Sequence, residues 1–222
     1  MAGTAGKMRD MLRGLQVFPD ELPEFDVQSA PGDPVTLFLS WLTEAVSDSI
    51  LGPHAMTLAT ADAAGRVSSR VLICKDVDED GRWYFASDSD SVKGRDLAAN
   101  RRAAASFYWP QHGRQIRISG EAASAGTQAS AADFLARPPA SRAAALAGHQ
   151  SEPLAGQAEL AEAFRRSEAE VDANPGLVAS GWTLYALSAD SVEFWQADHQ
   201  RRHLRLRYER TGREWTSRLL WP

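Results

Sequence analysis

The chain has 222 residues, 44% hydrophobic and 24% charged, a composition that predicts a folded core and excludes extensive disorder. Its only cysteine, Cys74, excludes an intramolecular disulfide and a cluster of thiolate metal ligands. The N-terminus lacks the apolar core of a signal peptide, and no apolar run approaches the roughly 20 residues of a membrane span. We therefore expect a soluble, cytoplasmic protein with no membrane partner.

The formal net charge of −5 is unevenly distributed along the chain. Residues 201–222 contain seven arginines and only two acids, Glu209 and Glu214. This asymmetry is typical of an anion site or of a nucleic-acid surface. Nucleic acid is the weaker alternative, because no basic block or zinc-finger spacing accompanies the arginines. We expect no nucleic-acid partner.

The first predicted elements are an arm and a helix. Residues 1–33 contain three prolines and little periodicity, so we expect a mobile arm. Asp33 followed by Pro34 is typical of a helix start, and apolar residues at helical spacing extend this helix to about Ile50. Residues 34–222 are predicted to form a single domain.

Short β-rich runs separated by turns then predict an antiparallel sheet or barrel. Ser91 is expected to cap a short helix that ends near Asn100. The alanine-rich stretch 127–172 is predicted to be a helical insertion, broken at Pro138-Pro139 and at Pro153. The predicted strands are 55–61, 67–75, 82–87, 103–109, 115–121, 182–188, 191–196, 203–210 and 215–220.

The run from Arg201 to Arg207 is the first candidate site. In a strand, alternation would place Arg201, His203, Arg205 and Arg207 on one face. Such a cationic row beside Trp195 suits a flat anion, and a solvated edge strand is the alternative.

The second candidate site is a phosphate site at the start of the predicted helix. A capping Ser91 followed by Lys93 would combine helix N–H groups with a positive charge, although capping serines and surface lysines are common without a ligand. Alternation places Arg70 and Lys75 on opposite faces of their strand. The five histidines are scattered, so we predict no metal site.

Several motifs together resemble the pyridoxamine phosphate oxidase family in order and spacing over residues 25–222. They are Arg70-Val-Leu-Ile-Cys-Lys75, Ser91-Val92-Lys93, Arg114-Gln115, Arg137-Pro138, Gln150-Ser151, Glu193-Phe194-Trp195-Gln196 and Arg201-x-His203-x-Arg205. The resemblance implies a mainly antiparallel split β-barrel with peripheral α-helices. It also implies a homodimer that binds FMN at the subunit interface.

The same resemblance implies roles for individual residues. Arg70, Lys75, Ser87 and Lys93 would hold FMN from one subunit, with Arg70 and Lys93 at its phosphate. Gln115, Gln150 and Ser151 would come from the other subunit, and Trp195 and Arg205 would complete the pocket. The implied flavin-binding set is Arg70, Val71, Lys75, Ala86, Ser87, Ser91, Lys93, Gln115, Gln150, Ser151, Trp195 and Arg205. The implied substrate contacts are Lys75, Asp133, Arg137, Ser141, Arg201 and His203, of which Arg201 and His203 would be catalytic.

The implied reaction moves a hydride from a substrate carbon to the flavin, which O₂ then reoxidises with release of hydrogen peroxide. The protein would orient the substrate and stabilise developing negative charge. His203 is a candidate for proton transfer.

Departures from the vitamin B6 enzymes favour one branch of the family. By the same resemblance, Asp133 stands where those enzymes have a tyrosine that contacts the substrate phosphate, Val92 replaces an arginine, and Ala86 replaces a tyrosine. An N-terminal Arg-x-x-Tyr element is also missing. A carboxylate facing a phosphate dianion is unfavourable.

The pattern is more similar to that of the phenazine-biosynthesis flavin oxidases, which act on reduced tricyclic carboxylates. Our first hypothesis is therefore an FMN-dependent oxidase that aromatises a reduced, carboxylated phenazine precursor, so we expect a small aromatic or reduced tricyclic carboxylate as its substrate. The alternatives are a pyridoxamine phosphate oxidase and a flavin-binding barrel without turnover.

Overall fold

Antiparallel β-structure dominates the computed structural model, which describes residues 2–222. The strands among these residues are β1 (Ala55–Ala61), β2 (Val67–Ile73), β3 (Asp76–Val77), β4 (Arg82–Asp88), β5 (Arg102–Trp109), β6 (Arg114–Ser124), β7 (Trp182–Gln196), β8 (Leu204–Thr211) and β9 (Glu214–Leu219). The helices are α1 (Ala2–Arg13), α2 (Pro34–Ser47), α3 (Val92–Ala99), α4 (Thr127–Leu135), α5 (Pro139–Leu146) and α6 (Gln157–Ala173).

The strands form one curled sheet in the order β2-β1-β5-β6-β7-β4-β3, and β8 and β9 continue from β7. Every pairing is antiparallel, and β7, with 15 residues, pairs with β4 through its first half and with β8 through its second. This strand therefore belongs to both halves of a split β-barrel. The predicted fold class, mainly antiparallel with peripheral helices, is confirmed.

The pairing of β6 with β7 contains a β-bulge: Ser119 pairs with Ser191 and Gly120 with Ala189, which leaves Asp190 of β7 without a partner in β6. Gly120 is required there by a close backbone approach, because a Cβ at this position would lie 1.9 Å from the carbonyl oxygen of Ser188. A bulge bends and twists the strands that carry it. Because the bulge accommodates the extra residue Asp190, the two predicted strands, 182–188 and 191–196, are joined into the single strand β7.

The core lies between the sheet and α2. Asp33 caps this helix, with Oδ1 accepting the N–H of Thr36 at 2.8 Å, and Pro34 occupies its first turn, as predicted. The buried face of α2 places Phe38 against Trp83 and Phe107 of the sheet, with ring centroids 5.7 and 5.0 Å apart. These contacts fix the barrel wall that carries the site.

The end of β2 differs from the prediction, whereas the break in the helical insertion agrees with it. The strand expected over 67–75 ends at Ile73, because the backbone turns there and the N–H of Lys75 bonds to the carbonyl of Tyr84. In the alanine-rich insertion, the break at Pro138-Pro139 is confirmed, and Pro153 lies in the loop between α5 and α6.

The N-terminal arm contains a helix, α1 (Ala2–Arg13), that the sequence analysis did not predict. The first proline is Pro19, so nothing in this stretch interrupts helical hydrogen bonding. The expectation that residues 1–33 form a mobile arm stays a prediction. None of the helices within residues 2–222 is long and apolar enough to cross a membrane.

Candidate functional site

The N-terminus of α3 carries a buried lysine. Ser91 caps this helix by accepting the N–H of Gly94 at 3.3 Å. Lys93, only 6% exposed, donates from Nζ to Ser91 Oγ at 3.1 Å and to Gln150 Oε1 at 3.0 Å. Because these partners are neutral, burial lowers the pKa of Lys93, and the charge of Arg70 lowers it further. A buried cation at a helix N-terminus is suited to a phosphate.

Arg70 is held beside this lysine by a network of hydroxyl groups. Its guanidinium donates to Thr60 Oγ1 at 2.8 Å and to Ser68 Oγ at 2.5 Å, and both hydroxyls donate to Asp96, at 2.7 and 3.2 Å. Burial lowers the pKa of Arg70, and the Asp96 carboxylate opposes that shift. Sequence reasoning missed Asp96, although its position three residues after Lys93 places both on one side of α3.

Two residues of the α5–α6 loop complete the same site. Gln150 Oε1 accepts from Ser87 Oγ at 3.3 Å as well as from Lys93, and Ser151 Oγ accepts the N–H of Val92 at 3.4 Å. The expectation that Gln150 and Ser151 come from a second subunit is therefore corrected, because the loop folds over α3 of its own chain. We call Arg70, Ser87, Ser91, Lys93 and Gln150 the anion half-site.

Two predicted flavin contacts point elsewhere. Ala86 precedes the buried Ser87 in β4, and Val71 follows Arg70 in β2, so each side chain projects from the opposite face of its strand. Val71 is 66% exposed on the outer face of the sheet. The side chains of Ala86 and Val71 therefore do not line the anion half-site.

A second group of charges lies where β7 begins. Lys75 Nζ is 2.7 Å from Asp133 Oδ1, and Asp133 Oδ2 accepts the indole N–H of Trp182 at 2.8 Å. The guanidinium of Arg137 lies 4.0 Å from the centroid of the Trp182 ring. We call Lys75, Asp133, Arg137 and Trp182 the charge cluster.

The charge cluster brings together three of the predicted substrate contacts, Lys75, Asp133 and Arg137. Lys75 lies beyond the end of β2, so alternation along that strand does not decide its position relative to Arg70. Ser141 lies in α5, half-buried. Sequence reasoning missed Trp182, which it treated only as the start of a strand. A tryptophan at a strand end, where its N–H can reach a polar partner, was the available signal.

The remaining predicted residues gather near the other end of β7. Gln115 of β6 and Arg205 of β8 are the direct partners of Trp195, so the three side chains share one face of the sheet. Arg205 also donates to Glu193 Oε1 at 2.9 and 2.8 Å. Arg201 and His203 both precede β8, and Arg201 lies in a turn with φ of 66°. The alternation that would place them in one row with Arg205 and Arg207 therefore begins only at Leu204.

This end of β7 borders a cavity of about 460 Å³. His203 lies with its ring centroid 4.8 Å from that of Trp195, and its Nδ1 accepts the N–H of Asp198 at 3.0 Å. The ring of Phe18, from the N-terminal arm, approaches Trp195 to 5.9 Å. We call Gln115, Trp195, Arg201, His203 and Arg205 the aromatic half-site.

The two half-sites do not meet within the chain. Trp182 begins β7 and Trp195 is its penultimate residue, and a straight strand of 15 residues is about 50 Å long. Among the side chains of residues 6–222, no hydrogen bond, ion pair or ring contact joins the aromatic half-site to the anion half-site or to the charge cluster.

Glu44, Asp48 and His112 also bring potential metal ligands within 4.8 Å of one another. However, Glu44 Oε2 lies 2.6 Å from the Arg114 guanidinium, and Asp48 Oδ2 lies 2.8 Å from His112 Nε2. Because these carboxylates already have partners, we interpret the group as a link between α2 and the β5–β6 connection.

Comparison with known proteins identifies the family. The family model described as pyridoxamine 5'-phosphate oxidase matches residues 42–170, more than half of the chain. The chain belongs to this family. A second model, the pyridoxine 5'-phosphate oxidase C-terminal dimerisation region, matches residues 182–222 and supports a homodimer.

Individual members of the pyridoxamine 5'-phosphate oxidase family show the same relationship. The pyridoxine/pyridoxamine 5'-phosphate oxidase of Pseudomonas paraeruginosa is 40% identical over 196 residues, which cover 87% of this chain and 91% of the relative. The enzyme of the same name from Paraburkholderia phymatum is 37% identical over 202 residues, which cover 90% of this chain and 94% of the relative. Membership supports an oxidoreductase and implies a flavin cofactor.

Solved structures of the family agree with the fold. PhzG from Burkholderia lata, in complex with tetrahydrophenazine-1-carboxylic acid, has a TM-score of 0.81 and 33% identity, covering 90% of this chain and 99% of PhzG. An FMN-binding protein from Nostoc punctiforme has a TM-score of 0.71 over 86% of this chain and 98% of its own, and at 20% identity it supports the fold alone.

Proposed function

We propose that this chain is an FMN-dependent oxidase for a reduced, carboxylated phenazine precursor. FMN, when bound, supplies the ring that accepts a hydride from the substrate and passes the electrons to O₂, which yields hydrogen peroxide. The observation that carries the choice of substrate is the Asp133 carboxylate between Lys75 and Trp182, because it adds negative charge where a phosphate dianion would have to bind.

The anion half-site fits the FMN phosphate. Lys93 and Arg70 supply two partly or fully buried cations, and Ser87, Ser91 and Gln150 supply polar groups around them. The neutral partners of Lys93 leave its charge uncompensated by a direct ion pair. An anion with several acceptor oxygens would offset that burial, since charge-assisted hydrogen bonds are the strong ones.

The aromatic half-site would complete the pocket from the partner subunit. Gln115, Trp195 and Arg205 share one face of the sheet, but they lie far along β7 from the start of that strand. On the outer face of β2, Val67, Val71 and Ile73 are 72, 66 and 48% exposed. An exposed apolar row of this kind is typical of an interaction surface, which supports a homodimer with FMN at its interface.

The substrate would lie against Trp195 and be held by cations. Arg137 and Arg201 suit carboxylates because a guanidinium can donate two parallel hydrogen bonds. The Nδ1 atom of His203 accepts the Asp198 N–H, so the neutral ring carries its proton on Nε2, the atom available for proton transfer. The bound ligand of PhzG, a tricyclic carboxylic acid, supports this class of substrate.

Pyridoxamine 5'-phosphate oxidation is the second candidate. Two relatives with that name are 40 and 37% identical to this chain, and each alignment covers at least 87% of it. A third candidate is a flavin-binding barrel without turnover.

One experiment separates the three candidates. The purified, yellow protein is mixed anaerobically with a reduced phenazine carboxylate or with pyridoxamine 5'-phosphate, and flavin absorbance is followed. We expect rapid bleaching with the phenazine and, after admission of air, peroxide in proportion to oxidised phenazine. Bleaching by pyridoxamine 5'-phosphate alone would assign the vitamin B6 reaction, and bleaching by neither would favour the binding protein.

A further inference from the structure

The charge cluster contains a carboxylate whose two oxygens already have hydrogen-bond partners within this chain. The two oxygens of Asp133 have separate partners, Lys75 Nζ at 2.7 Å and the Trp182 indole N–H at 2.8 Å. The side chains of Lys75 and Asp133 are 27 and 15% exposed, so their ion pair is largely shielded from water. Asp133 is therefore placed to act through its neighbours, without touching a ligand itself.

Arg137 is the member of the cluster with a buried donor atom that has no hydrogen-bond partner among the described residues. Its guanidinium lies over the Trp182 ring, 4.0 Å from the centroid, and its Nη1 is buried without a hydrogen-bond partner among the described residues. Burial lowers the pKa of Arg137, and Asp133 opposes that shift. Because an unpaired buried donor is costly, this atom is suited to an acceptor on a ligand.

The charges of the cluster match one class of ligand. Lys75 and Arg137 each carry one positive charge and Asp133 carries one negative charge, so the cluster has a net charge of +1. A monoanionic carboxylate brings the local charge to zero. A phosphate dianion would leave a net charge of −1 in a partly buried site, which is electrostatically unfavourable.

We propose that Asp133 is a specificity-determining residue that sets the charge of the substrate pocket. By neutralising Lys75 and fixing the Trp182 ring under Arg137, it leaves one guanidinium to bind a carboxylate on a planar ring and discriminates against phosphate dianions. This inference rests on the proposed function for the location of the substrate, but it concerns binding selectivity and not turnover.

The test measures equilibrium binding of two probes to the FMN-loaded protein: phenazine-1-carboxylate and pyridoxal 5'-phosphate. In Asp133→Asn, which raises the cluster charge to +2, we expect the ratio of the two affinities to shift toward the phosphate by about tenfold. Lys75→Met, which lowers the cluster charge to zero, is expected to shift the ratio in the opposite direction. Thermal unfolding checks that each variant is folded.

Asp190→Asn is the matched control. Asp190 is also ion-paired, with Arg102, but both side chains of that pair are more than half exposed. The substitution should leave the affinity ratio within about twofold, as expected for an exposed ion pair. The proposal is overturned if Asp133→Asn weakens both ligands equally or leaves their ratio unchanged.

Failure of this inference is distinguishable from failure of the proposed function. If wild-type protein oxidises the phenazine but Asp133→Asn does not shift the affinity ratio, the charge-setting role is wrong and the function stands. If the ratio shifts but only pyridoxamine 5'-phosphate is turned over, the charge-setting role stands and the proposed substrate is wrong.

Discussion

Lys93 shows at the scale of one residue how burial prepares a charge for a ligand. A solvated lysine gains little from a phosphate, because water already stabilises the ammonium group. Lys93 is 6% exposed, its hydrogen-bond partners are neutral, and burial lowers its pKa from the ordinary value of 10.5. The free energy lost in burying the charge is recovered when an anion binds.

Lys93→Met is therefore expected to weaken FMN binding by about 10- to 100-fold, the equivalent of one charged hydrogen bond of about 1.5–3 kcal/mol. Flavin fluorescence titration of the apoprotein measures this change. The same substitution should weaken the binding of riboflavin by less than about twofold, because riboflavin lacks the phosphate that Lys93 would contact. Lys7→Met, at an exposed position in α1, is the control and should bind FMN as the wild type does.

The lowered pKa of Lys93 also predicts how the stability of the apoprotein depends on pH. Between the lowered folded value and 10.5, the unfolded chain binds more protons than the folded chain, so this lysine makes stability rise with pH. Its destabilising contribution is complete below the folded pKa and disappears as the pH approaches 10.5. The free energy of unfolding, measured with urea, should rise less toward alkaline pH in Lys93→Met than in the wild type. An equal rise in the two proteins would contradict the assignment of this pH dependence to Lys93.

At the scale of elements, the anion half-site depends on how closely α3 approaches the end of β4. Gly94 permits this approach, since a Cβ there would lie 2.2 Å from the carbonyl oxygen of Ser89 and 2.6 Å from that of Asp88. Both are backbone atoms that cannot rotate away. The contact holds Ser91 and Lys93 beside Ser87, so the helix is part of the site as well as part of the fold.

Gly94→Ala should consequently push α3 away from β4 and lower the free energy of unfolding by about 1–3 kcal/mol, as overpacking does. Urea unfolding and FMN titration should show both losses together. Gly6→Ala is the matched control, a helical glycine in α1 where an added Cβ would have no atom within 4 Å. It should retain stability, because alanine is the better helix former. Equal effects of the two substitutions would exclude the steric explanation.

At the scale of the whole molecule, β7 separates the two half-sites. Its first residue, Trp182, belongs to the charge cluster, and Trp195 near its end belongs to the aromatic half-site. If the two half-sites form one pocket, as we propose, a single chain cannot bring them together. A homodimer with two-fold symmetry would pair each anion half-site with the aromatic half-site of the partner, twice.

This arrangement predicts complementation between two inactive variants. Lys93→Met damages the anion half-site, and Arg201→Ala removes an exposed cation of the aromatic half-site while retaining flavin. Co-expression should produce mixed dimers in which one of the two sites is intact, which restores about a quarter of the wild-type sites under random pairing. Peroxide release from the unfractionated co-expressed protein measures this recovery, and purified mixed dimers should reach about half of the wild-type sites. A pocket built from one chain would give no recovery, since every site would carry a substitution.

Local features of the fold could be predicted from the sequence because they depend on neighbouring residues. Asp33-Pro34 specified the start of α2, Ser91 specified the cap of α3, and alternation specified which side chains of β8 are buried. The bend of β7 could not be predicted in this way. It depends on the contact of Gly120 with Ser188, residues that are distant in sequence.

The same distinction applies to the candidate site: some of its features could be predicted from the sequence, and others required the folded chain. Residue types and spacing alone indicated Lys93 at a helix N-terminus and a cationic row beside Trp195, and the family motifs indicated the reaction class. The partners of these residues required the folded chain: Lys75 and Asp133 are 58 residues apart, and Gln150 reaches Lys93 from 57 residues away. Sequence therefore determined which charges this protein has and which strands and helices carry them. Only the tertiary structure decided which charges neutralise one another, because Coulomb energy depends on distance and burial in space.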